Sequence, residues 1–276
     1  MFSKRLFSSI VLVILAFAVI LPGNYVLGIA LLGISIIAFH ELINAYEKNE
    51  NKINGLLKIT GLSGTILYYL FLIFEFDLIW LAFIVVMTFL SLMAVYVFLF
   101  PRYRVEEVLH TLFSFFYAPV LLSFLYLTRQ MQYGEFIVWM IFISSWICDT
   151  CAYITGMLFG KHKLAPILSP KKSVEGAIGG IAGSALVGAL FGFFIEPIMG
   201  FDGIAVIFAV IGACGAIISQ IGDLAASAIK RNYELKDYGK LIPGHGGIMD
   251  RFDSVIFAAP IIYFLAVFFI QHASSL

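Results

Sequence analysis

Long apolar runs alternate with short polar breaks along almost the whole chain of 276 residues. A run of about 20 apolar residues is long enough for an α-helix to cross the hydrocarbon core of a bilayer. Counting the runs predicts nine membrane-spanning helices and therefore an all-α, polytopic integral membrane protein. The predicted spans are 6–21, 24–46, 55–74, 78–100, 108–127, 136–159, 175–195, 203–229 and 252–271.

The Lys and Arg residues are distributed unevenly over the breaks between these runs. With a cytoplasmic N-terminus and nine crossings, 16 of the 17 basic residues fall on the cytoplasmic side, and only Arg129 falls outside. Cytoplasmic loops of membrane proteins are enriched in Lys and Arg. The distribution therefore supports the helix count and predicts a C-terminus outside the cytoplasm. Residues 160–174 and 230–251 become the two long cytoplasmic loops.

The composition agrees with a lipid environment. The chain is 62% hydrophobic and 12% charged, whereas soluble domains carry about 25% charged residues. The formal net charge is zero, which argues against nucleic acid as a partner. The cysteines lie in apolar runs, and we interpret them as helix-packing residues rather than disulfides. They are Cys148, Cys151 and Cys214.

Three polar residues of the eighth predicted span and the first residue after it recur at helical spacing: Ser219, Asp223, Ser227 and Lys230. Separations of four, four and three residues place them on one face of a helix. A carboxylate within a membrane helix is costly in lipid and indicates a functional site by default. The structural alternative for Asp223 is an ion pair with a cation from a neighbouring helix.

A second acidic residue, Asp149, lies in an apolar run whose next charged residue is Lys161. We expect its carboxylate to face a cavity or a partner. Thr150 and Tyr153 either line the same cavity or pack between helices. Glycines of the next two spans, such as Gly180, are interpreted as positions where membrane helices approach closely.

The segment Ser169–Gly176 reads SPKKSVEG. Pro170 ends any preceding helix, and Ser173 has the chemistry of an N-cap for the helix that follows. The exposed amides at that helix start, together with Lys171 and Lys172, favour binding of a phosphate. The alternative is an ordinary positively charged cytoplasmic loop.

The densest group of charged residues is Ser227–Asp253, which combines cations, carboxylates and glycines. Glycines flank His245, and Asp250 and Asp253 are three residues apart at the start of the last predicted helix. With Asp223 they form a set of carboxylates suited to Mg²⁺, which leaves room for substrate phosphates. The alternative is that they complement the positive end of the helix dipole.

The run S-x-I-K-R-x4-K-D-x-G-x2-I-P-G-H-G-G-I-x-D-R-x-D, over residues 227–253, resembles the signature of phosphatidate cytidylyltransferases. SPKKSVEG and the DTCAY that contains Asp149 are similar to that family as well. The detailed resemblance covers about 145–255. We therefore expect 1–134 to be scaffold helices and 135–276 to be the catalytic region.

The residue pattern and the resemblance together give the candidate site residues. The expected catalytic residues are Asp223, Lys230, Arg231, His245, Asp250 and Arg251. The expected substrate-binding residues are Asp149, Lys171, Lys172, Ser173, Glu175, Ser227, Lys236, Asp237, Gly246 and Gly247. The expected metal ligands are Asp223, Asp250 and Asp253.

The resemblance implies the reaction CTP + phosphatidate → CDP-diacylglycerol + pyrophosphate at the cytoplasmic membrane face. It implies Mg²⁺ as the cofactor, with room for a second cation. It also implies a multi-pass homodimer surrounded by lipid in the cell inner membrane. The nearest alternative is a CTP-dependent lipid kinase of the polyprenol type, which transfers the γ-phosphoryl group to an alcohol. A secondary transporter, with Asp149 and Asp223 coupling ions, is a second alternative.

Overall fold

The computed structural model of the protein describes residues 11, 13–48, 52–53, 55–200, 202–241 and 246–271. Within them, eight helices are long and apolar enough to cross a membrane. They are α1 (Asn24–Glu47), α2 (Gly55–Ile73), α3 (Leu78–Phe98), α4 (Val105–Gln130), α5 (Gly134–Phe159), α6 (Val174–Met199), α7 (Ile204–Asn232) and α8 (Met249–Ile270). The predicted all-α, polytopic class is confirmed, and the protein is a multi-pass membrane protein.

The second to ninth apolar runs each correspond to one of these helices, with ends that differ by a few residues. Residues 13–20 of the first run, 6–21, are helical as well. Because residues 1–10 lie outside the described part of the chain, the ninth crossing stays a prediction. The orientation of the termini stays a prediction too, since no membrane is present in the structure.

Between α5 and α6 the chain forms a short antiparallel hairpin of β1 (Lys163–Ala165) and β2 (Ser169–Ser173), with Lys163 opposite Ser173. We call residues 163–173 the cavity hairpin. The sequence indicated only a loop here, because neither strand shows the alternating apolar pattern of a half-buried strand. The hairpin ends where α6 begins, so the lysines of β2 lie next to the start of that helix.

The described residues fall into two compact units. The first contains the residues up to Tyr126 together with Asn232–Arg251, and the second contains Leu127–Arg231 and the residues from Phe252 onward. The first unit therefore holds α1 to α3 and most of α4, and the second holds α5, the cavity hairpin, α6 and nearly all of α7 and α8.

In the first unit, polar side chains inside the helices bond to one another or to the backbone. The Ser35 hydroxyl donates to the Tyr69 hydroxyl at 2.8 Å, and the Tyr69 hydroxyl donates to the carbonyl of Pro119 at 3.1 Å. Pro119 lies in a π-helical turn, Phe116–Val120, that interrupts α4. Because lipid offers no hydrogen-bond partners, such internal bonds are needed wherever polar groups enter the membrane.

In the second unit, glycines allow the helices to approach closely. A Cβ atom at Gly180 of α6 would lie 2.9 Å from the carbonyl oxygen of Cys148 in α5. A Cβ atom at Gly212 of α7 would lie 2.7 Å from the carbonyl oxygen of Ser184 in α6. The interpretation of these glycines as packing positions is confirmed.

The prediction that the cysteines form no disulfide is confirmed too, because all three are free thiols.

Candidate active site

A cavity of about 310 Å³ lies in the second unit, beside α5, the cavity hairpin and the start of α6. It is lined by Asp149, Ala152, Tyr153, Gly156, Met157, Leu164, Lys171, Lys172, Ser173, Gly176, Ala177 and Gln220. Two lysines and one carboxylate thus line the same cavity as several apolar side chains. A few charged groups in a largely apolar concave surface are typical of a small-molecule site.

The lysine ammonium of Lys172 forms an ion pair with the carboxylate of Asp223 on α7. The two side chains are 25% and 26% exposed. The structural alternative raised for Asp223 is therefore present, although the cation comes from the cavity hairpin and not from a neighbouring helix. Lys172 also lines the cavity, and its ammonium nitrogen is buried where it pairs with Asp223.

Further charged residues of α5, α7 and α8 surround this ion pair. The carboxylate of Asp253 lies close enough to Asp223, Lys230 and Asp149 to interact with their charges. Asp253 is 8% exposed, and its Oδ1 accepts hydrogen bonds from the backbone amide and the hydroxyl of Ser254. Four predicted site residues are therefore brought together within one unit.

These carboxylates suit a hard metal ion that binds together with a substrate. Within the described ranges, no three His, Cys, Asp or Glu side chains converge into a protein-only metal cage. Mg²⁺ usually takes one or two carboxylates and completes its shell with water and phosphate oxygens, and Asp223 with Asp253 fits that pattern. One turn before Asp223, the hydroxyl of Ser219 is buried and has no hydrogen-bond partner among the described residues.

The start of α6 is organised by its own sequence. The Ser173 hydroxyl accepts a hydrogen bond from the amide of Gly176 at 3.1 Å, which confirms Ser173 as the N-cap. The Glu175 carboxylate accepts bonds from the backbone amides of Lys161 and His162 and contacts Nδ1 of His162 at 2.6 Å. Glu175 thereby holds the segment before β1 onto the helix, and its predicted substrate contact stays a prediction.

The cavity contains one polar residue that sequence reasoning missed. Of the two residues for which cavity lining and helix packing were both open, Tyr153 lines the cavity. Thr150 donates to the carbonyl of Trp146 at 2.8 Å and is absent from the lining. Gln220 was not predicted, yet it lines the cavity and its amide donates to the carbonyl of Ala177 at 3.2 Å. The feature that could have identified Gln220 from the sequence is its single amide side chain within an apolar span.

The remaining candidates lie at the end of α7, at the start of α8 and in residues 233–248 between them, which we call the motif loop. Residues 242–245, which include the predicted catalytic His245, lie outside the described residues. The described candidates differ in exposure. Arg231, Lys236, Asp237 and Arg251 are exposed, whereas Ser227 and Lys230 are half-buried. Their assigned roles stay predictions.

Asp250, in the first turn of α8, is 6% exposed and holds the motif loop. Its Oδ2 accepts hydrogen bonds from the amide of Tyr238 at 2.8 Å and from the amide of Gly247 at 2.9 Å. Between them, Gly246 adopts a φ of +83°, a left-handed conformation that costs glycine little. The role of Asp250 as a metal ligand stays a prediction.

Sequence reasoning also missed Glu41, a 7% exposed residue of α1 in the first unit. Its Oε1 accepts a hydrogen bond from the amide of Ile248 at 3.0 Å, and its Oε2 accepts one from the amide of Met249 at 2.8 Å. The available signal was an acidic residue inside an apolar span, which indicates function by default.

Comparison with known proteins finds relatives that match along nearly the whole chain. The sequence profile of the cytidylyltransferase family matches residues 3–269. A phosphatidate cytidylyltransferase of Staphylococcus saprophyticus is 32% identical over 263 residues, which cover 95% of this chain and 98% of the relative. One of Staphylococcus epidermidis is 31% identical over 268 residues, and one of Staphylococcus aureus is 32% identical over 272 residues, with the same coverage.

Proposed function

Because this chain belongs to the phosphatidate cytidylyltransferase family, we propose that it transfers the cytidylyl group of CTP to phosphatidate and releases pyrophosphate. The observation that carries the proposal is the match to relatives of that name over 95% of the chain. The match to the family profile, over residues 3–269, includes both the cavity residues and the motif loop.

The chemistry of the proposed reaction explains why cations are needed. A phosphate oxygen of phosphatidate attacks the α-phosphorus of CTP, the bond from that phosphorus to the bridging oxygen of the β-phosphate breaks, and pyrophosphate leaves with the electron pair. Both reactants are polyanions that repel each other, and Lys171, Lys172 and Lys230 supply positive charge against this repulsion. The nucleophile is already an anion near neutral pH, so the reaction needs no strong general base.

We propose that Mg²⁺ is the cofactor, with Asp223 and Asp253 as ligands and Asp250 as a further candidate. When bound, the ion supplies charge neutralisation to the phosphates and to the leaving pyrophosphate. The protein's own contribution is to hold Asp223 and Asp253 close to each other and to Lys172, which lines the cavity. The ion pair with Lys172 supports the location, because it places Asp223 next to a residue that lines the cavity.

We also propose that the enzyme is a homodimer in the cell inner membrane, with its active site on the cytoplasmic face. The location is supported by the Lys and Arg distribution, with 16 of the 17 basic residues on that side of the predicted topology. The dimer is supported by the family resemblance alone, and light scattering of the purified protein in detergent tests it.

The proposed reaction is tested by following two labels in parallel. Purified protein is incubated with phosphatidate, Mg²⁺ and CTP labelled on either the α- or the γ-phosphate, and the lipids are then extracted. We expect the α-label in the lipid fraction and the γ-label in pyrophosphate. A γ-label in the lipid would show a kinase, and substrate flux across proteoliposomes without any new product would show a transporter. Either result would overturn the proposal.

A further inference from the structure

We propose that Glu41 of α1 is a positioning residue for turnover, which holds the end of the motif loop and the start of α8 in their active conformation. This inference rests on the proposed function, since it concerns residues assigned to that reaction. It adds a role for a helix outside the region that carries the sequence motifs.

The two oxygens of the Glu41 carboxylate have separate partners. Oε1 accepts from the amide of Ile248 at 3.0 Å, and Oε2 accepts from the amide of Met249 at 2.8 Å. Amides at a helix start have no acceptor within the helix. One side chain from a distant helix therefore satisfies two amides where the motif loop becomes α8.

Two glycines of the motif loop leave the space that this carboxylate occupies. A Cβ atom at Gly247 would lie 2.6 Å from Oε2 of Glu41, and one at Gly239 would lie 2.9 Å from its Cδ. Both distances are too short for ordinary contacts. The motif loop can therefore contact Glu41 at two positions because glycine lacks a side chain there.

The burial of Glu41 argues for a role beyond stability. Its neighbours Ala38 and Phe39 are 0% exposed, and Leu42 is 4% exposed. A carboxylate in such surroundings is costly even when hydrogen bonds compensate for its lost hydration. An apolar side chain would fill the same space at lower cost, but it could not accept the two amide bonds.

Glu47 of the same helix provides a matched control. Its carboxylate forms an ion pair with Lys58 at 2.6 Å and accepts a hydrogen bond from the amide of Ile53 at 2.7 Å. These partners belong to α2 and the segment before it. Glu47 therefore supports the first unit without contacting the motif loop in these interactions.

Glu41 is linked to turnover through Asp250, because both carboxylates hold the same stretch of backbone. The Asp250 carboxylate accepts from the amide of Gly247, and Glu41 accepts from the next two amides along the chain. Loss of the Glu41 bonds would therefore shift the backbone that carries Asp250 and Arg251. A displacement of about 1 Å near reacting groups lowers rates by on the order of 100-fold.

The decisive variant is Glu41→Gln. The glutamine side chain has an NH₂ group in place of one acceptor oxygen, so one of the two backbone N–H groups loses its acceptor and faces another donor. We expect kcat to fall at least about 10-fold, with the KM for CTP nearly unchanged and faster hydrogen exchange at the motif-loop amides. Glu41→Asp keeps both acceptors and should recover part of the lost kcat. Glu47→Gln should stay within about twofold of the wild-type kcat, as expected for a substitution away from the site.

A second variant tests the same contact from the other side. Gly239→Ala should displace the Glu41 carboxylate and lower kcat in the same way. The double variant Gly239→Ala with Glu41→Gln should be no worse than the poorer single variant, since residues in direct contact are not additive. Fully additive losses would contradict the proposed contact. If Glu41→Gln does not fold, Gly239→Ala by itself still tests the contact, and a wild-type kcat in that folded variant would contradict it.

Several outcomes would overturn the inference. A Glu41→Gln variant that melts at a lower temperature but keeps the wild-type kcat per folded molecule would show a purely structural role. An equal fall of kcat in Glu47→Gln would show a general effect on the first unit. If the wild-type protein makes no CDP-lipid, the proposed function fails first, and unchanged hydrogen exchange at the motif loop would then refute the role of Glu41 separately.

Discussion

The cavity hairpin and the motif loop both carry predicted site residues, but different parts of the chain hold them. In the hairpin region the anchor is local, because Glu175 binds amides that lie 13 and 14 residues earlier. In the motif loop, Glu41 binds amides that lie 207 and 208 residues later. The partners of a local anchor lie in the neighbouring sequence, whereas the anchor of the motif loop lies on a helix that is remote in the chain.

The two regions also use their charged groups differently. The hairpin contributes two lysines to the cavity lining, and one of them, Lys172, pairs with Asp223. At the motif loop, the buried carboxylates of Glu41 and Asp250 accept hydrogen bonds from backbone amides. We therefore expect substitutions in the hairpin to weaken nucleotide binding and substitutions around the motif loop to lower turnover.

The largest effect in this comparison is expected for Asp250→Asn. The asparagine carbonyl can occupy the position of Oδ2 and keep both amide bonds, so the variant removes the charge and leaves the loop in place. We expect kcat to fall about 100-fold, as for other losses of a group that stabilises the transition state, with unchanged hydrogen exchange at the motif loop. The fall in kcat is measured by steady-state kinetics over a range of Mg²⁺ concentrations.

Asp202→Asn, at an exposed position of the second unit, is the control for Asp250→Asn. If Asp250→Asn retains near-normal kcat at every Mg²⁺ concentration, Asp250 serves only to hold the loop, and its assignment as a metal ligand is wrong.

A smaller effect, on binding rather than turnover, is expected for Lys172→Met. A hydrogen bond to a charged group contributes about 1.5–3 kcal/mol, so loss of the ammonium should raise the KM for CTP at least about 10-fold. Lys163→Met, at an exposed position of β1, is the control. An unchanged KM for CTP in Lys172→Met would mean that the lysine only neutralises Asp223.

The smallest effect is expected for Glu175→Gln, which loosens the segment before the hairpin. Because its carboxylate binds backbone amides and His162, we expect a rise of about threefold in the KM for CTP, the size of one hydrogen bond. Glu135→Gln, in the exposed first turn of α5, is the matched control. A loss as large as that of Lys172→Met would instead favour the direct substrate contact predicted from the sequence.

The parts of the fold that were predictable depend on information close together in the chain. Apolar runs of sufficient length predicted the helices, since lipid leaves few other structures for such segments. Ser173 was predictable as an N-cap because the bond it accepts comes from an amide three residues later. Gly180 was predictable as a packing position because small residues have few other uses in membrane helices.

The parts that were not predictable either lack a recognisable sequence pattern or depend on contacts between distant segments. The strand Ser169–Ser173 is polar and contains a proline, so no strand pattern marks it. Glu41 and Gln220 stand alone in apolar spans, and nothing near them in sequence identifies their partners. The carboxylates of the predicted metal set likewise gave no signal that Asp223 pairs with Lys172 while Asp250 accepts bonds from backbone amides.

The central claim is that the Asp223 carboxylate lies at the reaction centre of a cytidylyl transfer, and Asp223→Asn tests it most directly. The measurement is the rate of label transfer from α-labelled CTP to phosphatidate by the purified variant, whose folding is checked by its thermal melt. We expect a folded protein whose rate falls at least about 1000-fold, the upper range for loss of one transition-state contact. Transfer at a near-normal rate would contradict the account.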